Sequence, residues 1–264
     1  MHPSVRAVVQ AIAAFSVFGG LEASAPAAVN GVPPTIFADE FSVGRLDPSL
    51  WTAINRADAE DGEEYYTPDN ATVTNGSLNL LTKVDGTFRC CLHTSAEVQW
   101  RSASFTYGTV EIRAQLAGGL GTWPAIWLLG QDCQVSNLTT PANIGLCAWP
   151  FPGSDEIDIA ELLGSDHTTV NQQIHSNGHE DGCRPRTVDV SAGFHVYQLN
   201  WRPGSLAWLI DGVPTCHDAA DPALAWGGRV DDSEKCLARE LADSLTRSGS
   251  APAKQESAAT RHRP

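Results

Sequence analysis

Hydrophobic and polar residues alternate along much of the chain in short runs, with turn-forming residues between them, and this rhythm predicts strands rather than helices. Ala71 to Lys83 reads as two β-rich runs separated by Asn75-Gly76, the strongest short hairpin signal. Tyr107 to Leu116 sets Val110, Ile112 and Ala114 against Thr109, Glu111, Arg113 and Gln115. Thr122 to Leu129, Asp155 to Leu163, Thr168 to Ser176, Phe194 to Arg202 and Ser205 to Ile210 continue the series. Pro203-Gly204 joins the last two, and Asp211-Gly212 closes the series with another turn. Many short strands at regular spacing predict an all-β sandwich or jelly roll.

Both ends depart from this pattern. Arg6, the apolar stretch Ala7 to Leu21 and the small residues Ala25-Pro26-Ala27 have the layout of a secretory signal peptide over residues 1–27, too short and interrupted to span a membrane. Near the other end, Leu237, Leu241 and Leu245, with Ala238 and Ala242, form an apolar stripe at helical spacing. The expected organisation is therefore a leader (1–27), one β-sandwich (28–230), and a tail (231–264) that is helical and then, from Ser248, disordered.

Composition narrows the function. A formal net charge of −14 over 264 residues argues against a nucleic-acid partner, which needs clustered Lys and Arg. In an exported protein the seven cysteines read as disulfide formers, with Cys133–Cys147 the best candidate pair and adjacent Cys90 and Cys91 reaching separate partners. Sequons occur at Asn70, Asn75 and Asn137. The expected protein is a secreted, extracellular or periplasmic monomer with no membrane span.

The chemistry concentrates in Glu156-Ile-Asp-Ile-Ala-Glu161. On a strand Glu156 and Asp158 share a face, with Ile157 and Ile159 behind them in the core. Strict alternation would bury Glu161, at a cost of several kcal/mol. One extra residue, a β-bulge near Ile159-Ala160, returns Glu161 to the acidic face. The two glutamates are then roughly 13 Å apart at Cα, and side chains leaning together bring the carboxyls to about 5 Å, the spacing of a retaining glycosidase. Asp158 between them couples their ionisation.

A solvated acidic face is the bland reading, and it is weakened because like charges on one face repel and the pattern needs a bulge. Calcium is another reading, disfavoured because Ca²⁺ takes about 6–8 oxygen ligands and a flat strand offers few. On a neighbouring strand Asn171, Gln173 and His175 share a face that could meet sugar hydroxyls. Trp123 and Trp127 share another, as sugar platforms or as core. Trp149 is a further cleft-edge candidate.

The hexapeptide resembles the E-x-D-x-x-E signature of glycoside hydrolase family 16, in its laminarinase-like branch. Phe105 to Gly130, Asp39-Glu40-Phe41 with Leu50-Trp51, Asn70 to Leu80, and Phe194 to Gly212 resemble the segments around that signature, so the likeness runs from Phe37 to Gly212. It implies a concanavalin-like β-jelly-roll sandwich and an endo-acting, retaining hydrolase of a β-linked polysaccharide, with β-1,3-glucan favoured by the bulged motif. It also implies roles: Glu156 nucleophile, Glu161 acid/base, Asp158 tuning both, and Asn70, Trp123, Trp127, Gln173 and His175 against the sugar. No cofactor is implied beyond a structural calcium drawing on both chain ends. Past Gly212 the family's closing strands are echoed only by Ala225-Trp226-Gly227-Gly228, so the C-terminal strands are expected to be missing, replaced by the helical and disordered tail. A non-catalytic, lectin-like carbohydrate-binding jelly roll is the alternative function.

Overall fold

The computed structural model describes residues 5–9, 35, 37–57, 64–88, 91–100, 105, 107–130, 156–176, 179–218 and 236–243. These form strands β1 (Val5–Val9), β2 (Trp51–Ala53), β3 (Arg56–Ala57), β4 (Glu64–Tyr66), β5 (Ala71–Thr74), β6 (Ser77–Phe88), β7 (Cys91–Trp100) and β8 (Gly108–Gln115). They continue with β9 (Ala125–Gly130), β10 (Glu156–Leu162), β11 (Val170–Ser176), β12 (His179–Cys183), β13 (His195–Arg202), β14 (Ser205–Ile210), β15 (Val213–Asp218) and β16 (Cys236–Asp243). Among the described residues the only helix is the 3₁₀ turn Pro68–Asn70. The all-β expectation holds.

Hydrogen bonding runs in the order β12-β11-β10-β9-β16-β7-β6-β1-β8-β13-β14-β15. The long β6 and β7 carry the chain from one layer to the other, so that β10 lies over β13 and β14. Between the layers sits one core. Leu78, Val110, Tyr197, Leu199 and Trp208 enter it from one side; Ile126, Leu128, Ile157, Ile159 and Ile174 enter from the other. Each such side chain contributes roughly 1.5–3 kcal/mol by leaving water.

Local chemistry explains several elements. At the β5–β6 turn Asn75 and Gly76 have φ of 54° and 69°, the left-handed pair that a tight hairpin needs. In β8 buried and half-buried positions alternate strictly, as its sequence requires. Asp39 explains the opening motif: its carboxylate accepts from the Phe41 amide and the Trp51 indole, both at 2.8 Å, and ties the entry segment to β2.

The ends differ from the sequence reading. Residues 236–243, expected to be helical, form a strand that pairs with β9 on one side and β7 on the other. Two open strand edges offer a ladder to both sides of an inserted segment, which outweighs an apolar stripe at helical spacing. At the other end β1 pairs with β6 and, over Val8 and Val9, with β8. It falls within the segment whose composition reads as a leader. The Cys133–Cys147 pair, Trp149, Asn137 and the expected disorder from Ser248 lie outside the described residues.

One disulfide was not anticipated: Cys183 of β12 is bonded to Cys216 of β15, clamping the two layers at one end. The cysteines are 33 residues apart in sequence, for which loop closure in the unfolded chain gives roughly 3–4 kcal/mol. The double substitution Cys183→Ala/Cys216→Ala is expected to lower the free energy of urea unfolding by about that amount.

Candidate active site

The acidic strand β10 is bulged. Against β11, Asp158 pairs with Gln173 and Glu161 with Asn171; against β9, Asp158 pairs with Trp127 and Ala160 with Ile126. Both ladders therefore gain one residue between Asp158 and Glu161. Burial shows the consequence. Ile157 and Ile159 are core residues before the bulge, and Ala160 and Leu162 are core residues after it. The core positions switch from odd to even numbers, so the opposite face switches from even (Glu156, Asp158) to odd (Glu161). Glu161 is half-buried on that face and not in the apolar interior.

The neighbouring strands supply its surroundings. Trp123 and Trp127 are half-buried and alternate with buried Ile126 and Leu128, so neither is a core residue. The Trp123 indole donates to Glu161 Oε1 at 2.9 Å. Asn171, Gln173 and His175 are half-buried on one face of β11, as alternation predicts, while Gln172 and Ile174 are buried on the other. His175 Nε2 lies 3.2 Å from Asp158 Oδ2. Asp158 is only 1% exposed, although flanked by two half-buried glutamates.

The surroundings of Glu161 set its protonation. The Glu161 carboxyl is pushed up to about 8, first by burial and then by the negative charge of Asp158. The Trp123 hydrogen bond and the charges of His175 and Arg184 pull the other way without cancelling the shift. Such a group holds its proton at neutral pH and can give it to a leaving oxygen. Trp123→Phe removes the indole donor and keeps an aromatic ring, so the Glu161 midpoint is expected to rise further. A pH titration of the carboxyl by NMR checks this.

Asn70 is placed differently from the acids' immediate neighbours. It closes the 3₁₀ turn at 2% exposure, donates to the Ser95 carbonyl at 3.3 Å and accepts from Lys83 Nζ at 2.6 Å. These two bonds fix the orientation of its amide, which is almost fully covered by protein. Of the other sequons, Asn75 is exposed at a turn.

Glu156, Asp158 and His175 present ligand atoms within 4.8 Å of one another. Two carboxylates and an imidazole do not suit calcium, which prefers an all-oxygen shell. The segments to which the resemblance assigns a calcium site, the two chain ends, lie mostly outside the described residues. Sequence reasoning missed Arg184, whose charge reaches Glu161 from beyond β12, and Trp208, whose indole donates to the Asp158 carbonyl at 2.9 Å from the opposite layer. Neither lies within a recognisable spacing of the acidic motif.

Comparison with known proteins agrees with this arrangement. The family described as "Glycosyl hydrolases family 16" matches residues 58–221. A β-glucanase of Rhodothermus marinus is 34% identical over 189 residues, covering 67% of this chain and 62% of that protein. A β-1,3-glucan-binding protein of Penaeus monodon is 30% identical over 194 residues, covering 66% and 45%. Among solved structures, the catalytic domain of an endo-1,3-β-glucanase (laminarinase) from Thermotoga petrophila superposes with a TM-score of 0.63 at 30% identity, covering 77% of this chain and 84% of that one. The chain thus spans less than two thirds of the length of the curated relatives it matches first. Its jelly-roll fold, its bulged acidic strand and the extent of these matches place it in one family: the chain belongs to glycosyl hydrolases family 16.

Proposed function

We propose that this protein is a secreted endo-β-1,3-glucanase that cleaves with retention of configuration. The observation that carries the reading is Glu161, turned outward by the bulge onto the face of Glu156 and held protonated near neutral pH. In the first step a Glu156 carboxylate oxygen bonds to the anomeric carbon as the glycosidic bond breaks. The Glu161 proton goes to the departing oxygen. In the second step Glu161, now a carboxylate, takes a proton from water. The water oxygen then bonds to the anomeric carbon and releases Glu156.

Asp158 assists through charge, keeping the acid protonated until the leaving group needs it. Trp123 and Trp127 offer aromatic faces, and Gln173 an amide, to the sugar rings beside the reacting bond. The names of the relatives and the bulged form of the motif both favour a β-1,3-linked glucan. Incubation with laminarin is expected to generate new reducing ends and short oligosaccharides early in the reaction. No new ends, with the protein folded, would contradict the reading.

A second reading, binding without turnover, is favoured by the similarity to the β-1,3-glucan-binding protein of Penaeus monodon. Laminarin retained on the protein with no new ends would support it. Export rests on the composition of residues 1–27. Secreted protein is expected to begin after Ala27, as N-terminal sequencing would show; such cleavage removes β1 and exposes the facing edges of β6 and β8.

A further inference from the structure

We propose that Gln172 is a positioning residue for the acidic strand: with Thr215 behind it, it fixes the bulge that aims Glu161 at the substrate. The proposal rests on the hydrolase reading of Glu161 and concerns residues on the far side of the strand from the acids.

A bulge interrupts the regular ladder, and the carbonyls around it need partners of their own. In β10 two of them receive side-chain donors from the core side. The Trp208 indole donates to the Asp158 carbonyl at 2.9 Å, and Gln172 Nε2 donates to the Ile159 carbonyl at 3.4 Å. Gln172 is 0% exposed and packs among apolar core residues, where a buried amide is costly unless both its ends are bonded. Its other end, Oε1, accepts from Thr215 Oγ1 at 2.9 Å; the same hydroxyl also lies 3.2 Å from the Trp208 carbonyl.

Thr215 is itself the product of an irregularity. Trp208 pairs with Cys216 and Leu209 with Pro214, so Thr215 is the extra residue of a bulge in β15. Two bulges in opposite layers therefore meet through one glutamine. The surroundings hold the junction together. Cys183, opposite Gln172 in the β11–β12 ladder, is bonded to Cys216, the neighbour of Thr215. Gly182 lets β12 lie close on the Gln172 backbone, since a Cβ there would strike the Gln172 carbonyl. A core amide that only filled space would need neither an ordered acceptor in the active strand nor a bulged threonine behind it.

The test uses the full chain carrying Gln172→Met, which keeps the volume but not the bonds, and Thr215→Val beside Thr215→Ser. Three quantities are read: the thermal melt, kcat and KM on laminarin, and the Glu161 carboxyl titration by NMR of ¹³C-glutamate-labelled protein, its signal assigned by Glu161→Gln. In folded Gln172→Met and Thr215→Val the expected result is a fall in kcat of about ten- to a hundredfold with KM little changed, because a small misplacement of a reacting group costs that much. The Glu161 midpoint moves toward the ordinary carboxylate range. Thr215→Ser behaves as the unsubstituted protein.

Variants that melt earlier but keep the original kcat and Glu161 titration would overturn the proposal and leave Gln172 a structural residue. If Gln172→Met does not fold, Thr215→Val, which leaves the glutamine in place, decides by the same readings. If the unsubstituted protein releases no reducing ends, the hydrolase reading fails, and the Glu161 titration alone then decides the role of Gln172.

Discussion

Glu156→Gln is expected to reduce laminarin cleavage by a factor on the order of 10⁴ or more, because the amide cannot form the glycosyl-enzyme bond. The fold should survive. Glu156 is half-buried at the start of β10, outside the apolar core, and Gln keeps its volume, so no cavity is opened. Binding of laminarin, read by fluorescence or calorimetry, should persist. Glu161→Gln is expected to cost about 10²–10⁴-fold, the usual worth of a general acid. Its defect should depend on the leaving group. A β-glucoside with an acidic phenol as its aglycone departs without a proton, so formation of the glycosyl-enzyme should be largely preserved in Glu161→Gln and remain lost in Glu156→Gln. Equal losses on both substrates in both variants would contradict the division of labour.

The second large effect is on pH dependence. In the proposed mechanism Glu161 is the acid and must be protonated in the free enzyme, and its carboxyl is pushed up to about 8. The profile of kcat/KM should therefore bend downward near pH 8 and then fall about tenfold per pH unit. Asp158 is the chief charge holding that midpoint up, so Asp158→Asn should move the alkaline bend to lower pH. Stability carries the same signature with a definite sign. A carboxyl whose folded value is raised favours the folded state in its protonated form. That advantage is present below the unfolded value of about 4.3 and is lost progressively as pH rises through the folded value near 8. Glu161→Gln, which cannot ionise, should be relatively more stable at pH 9 than at pH 4 when compared with the unsubstituted protein. An alkaline bend unaffected by Asp158→Asn would mean that the charge of Asp158 does not hold the midpoint up.

Much of this site was legible in the sequence because strands obey a simple parity. The apolar spacing of Ile157 and Ile159, followed by a glutamate at the wrong parity, forces either a buried charge or a bulge, and the bulge is what the structure contains. Asn75-Gly76 and the alternation of β8 were equally explicit. What stayed hidden was structure without apolar alternation. In β7, His93, Thr94, Ser95, Glu97 and Gln99 are all buried, so a central strand carries polar residues where the period-2 pattern would be sought. Their cost is offset by partners elsewhere in the chain, such as the Arg56–Glu97 ion pair at 3.0 Å. Periodicity misled at residues 236–243, because the ladder partners that make them a strand lie more than a hundred residues earlier. The same holds for Gln172 and Thr215. One glutamine among several becomes distinctive only when two bulges are seen to face each other.

The bulge matters because it sets the Glu156 and Glu161 side chains on the same face of one strand, the arrangement that double displacement needs. The most direct test is the configuration of the sugar first released from laminarin, followed by ¹H NMR during the initial turnovers, before mutarotation. Double displacement by Glu156 and Glu161 predicts that the β-anomer appears first and the α-anomer grows in later. Initial release of the α-anomer would contradict it.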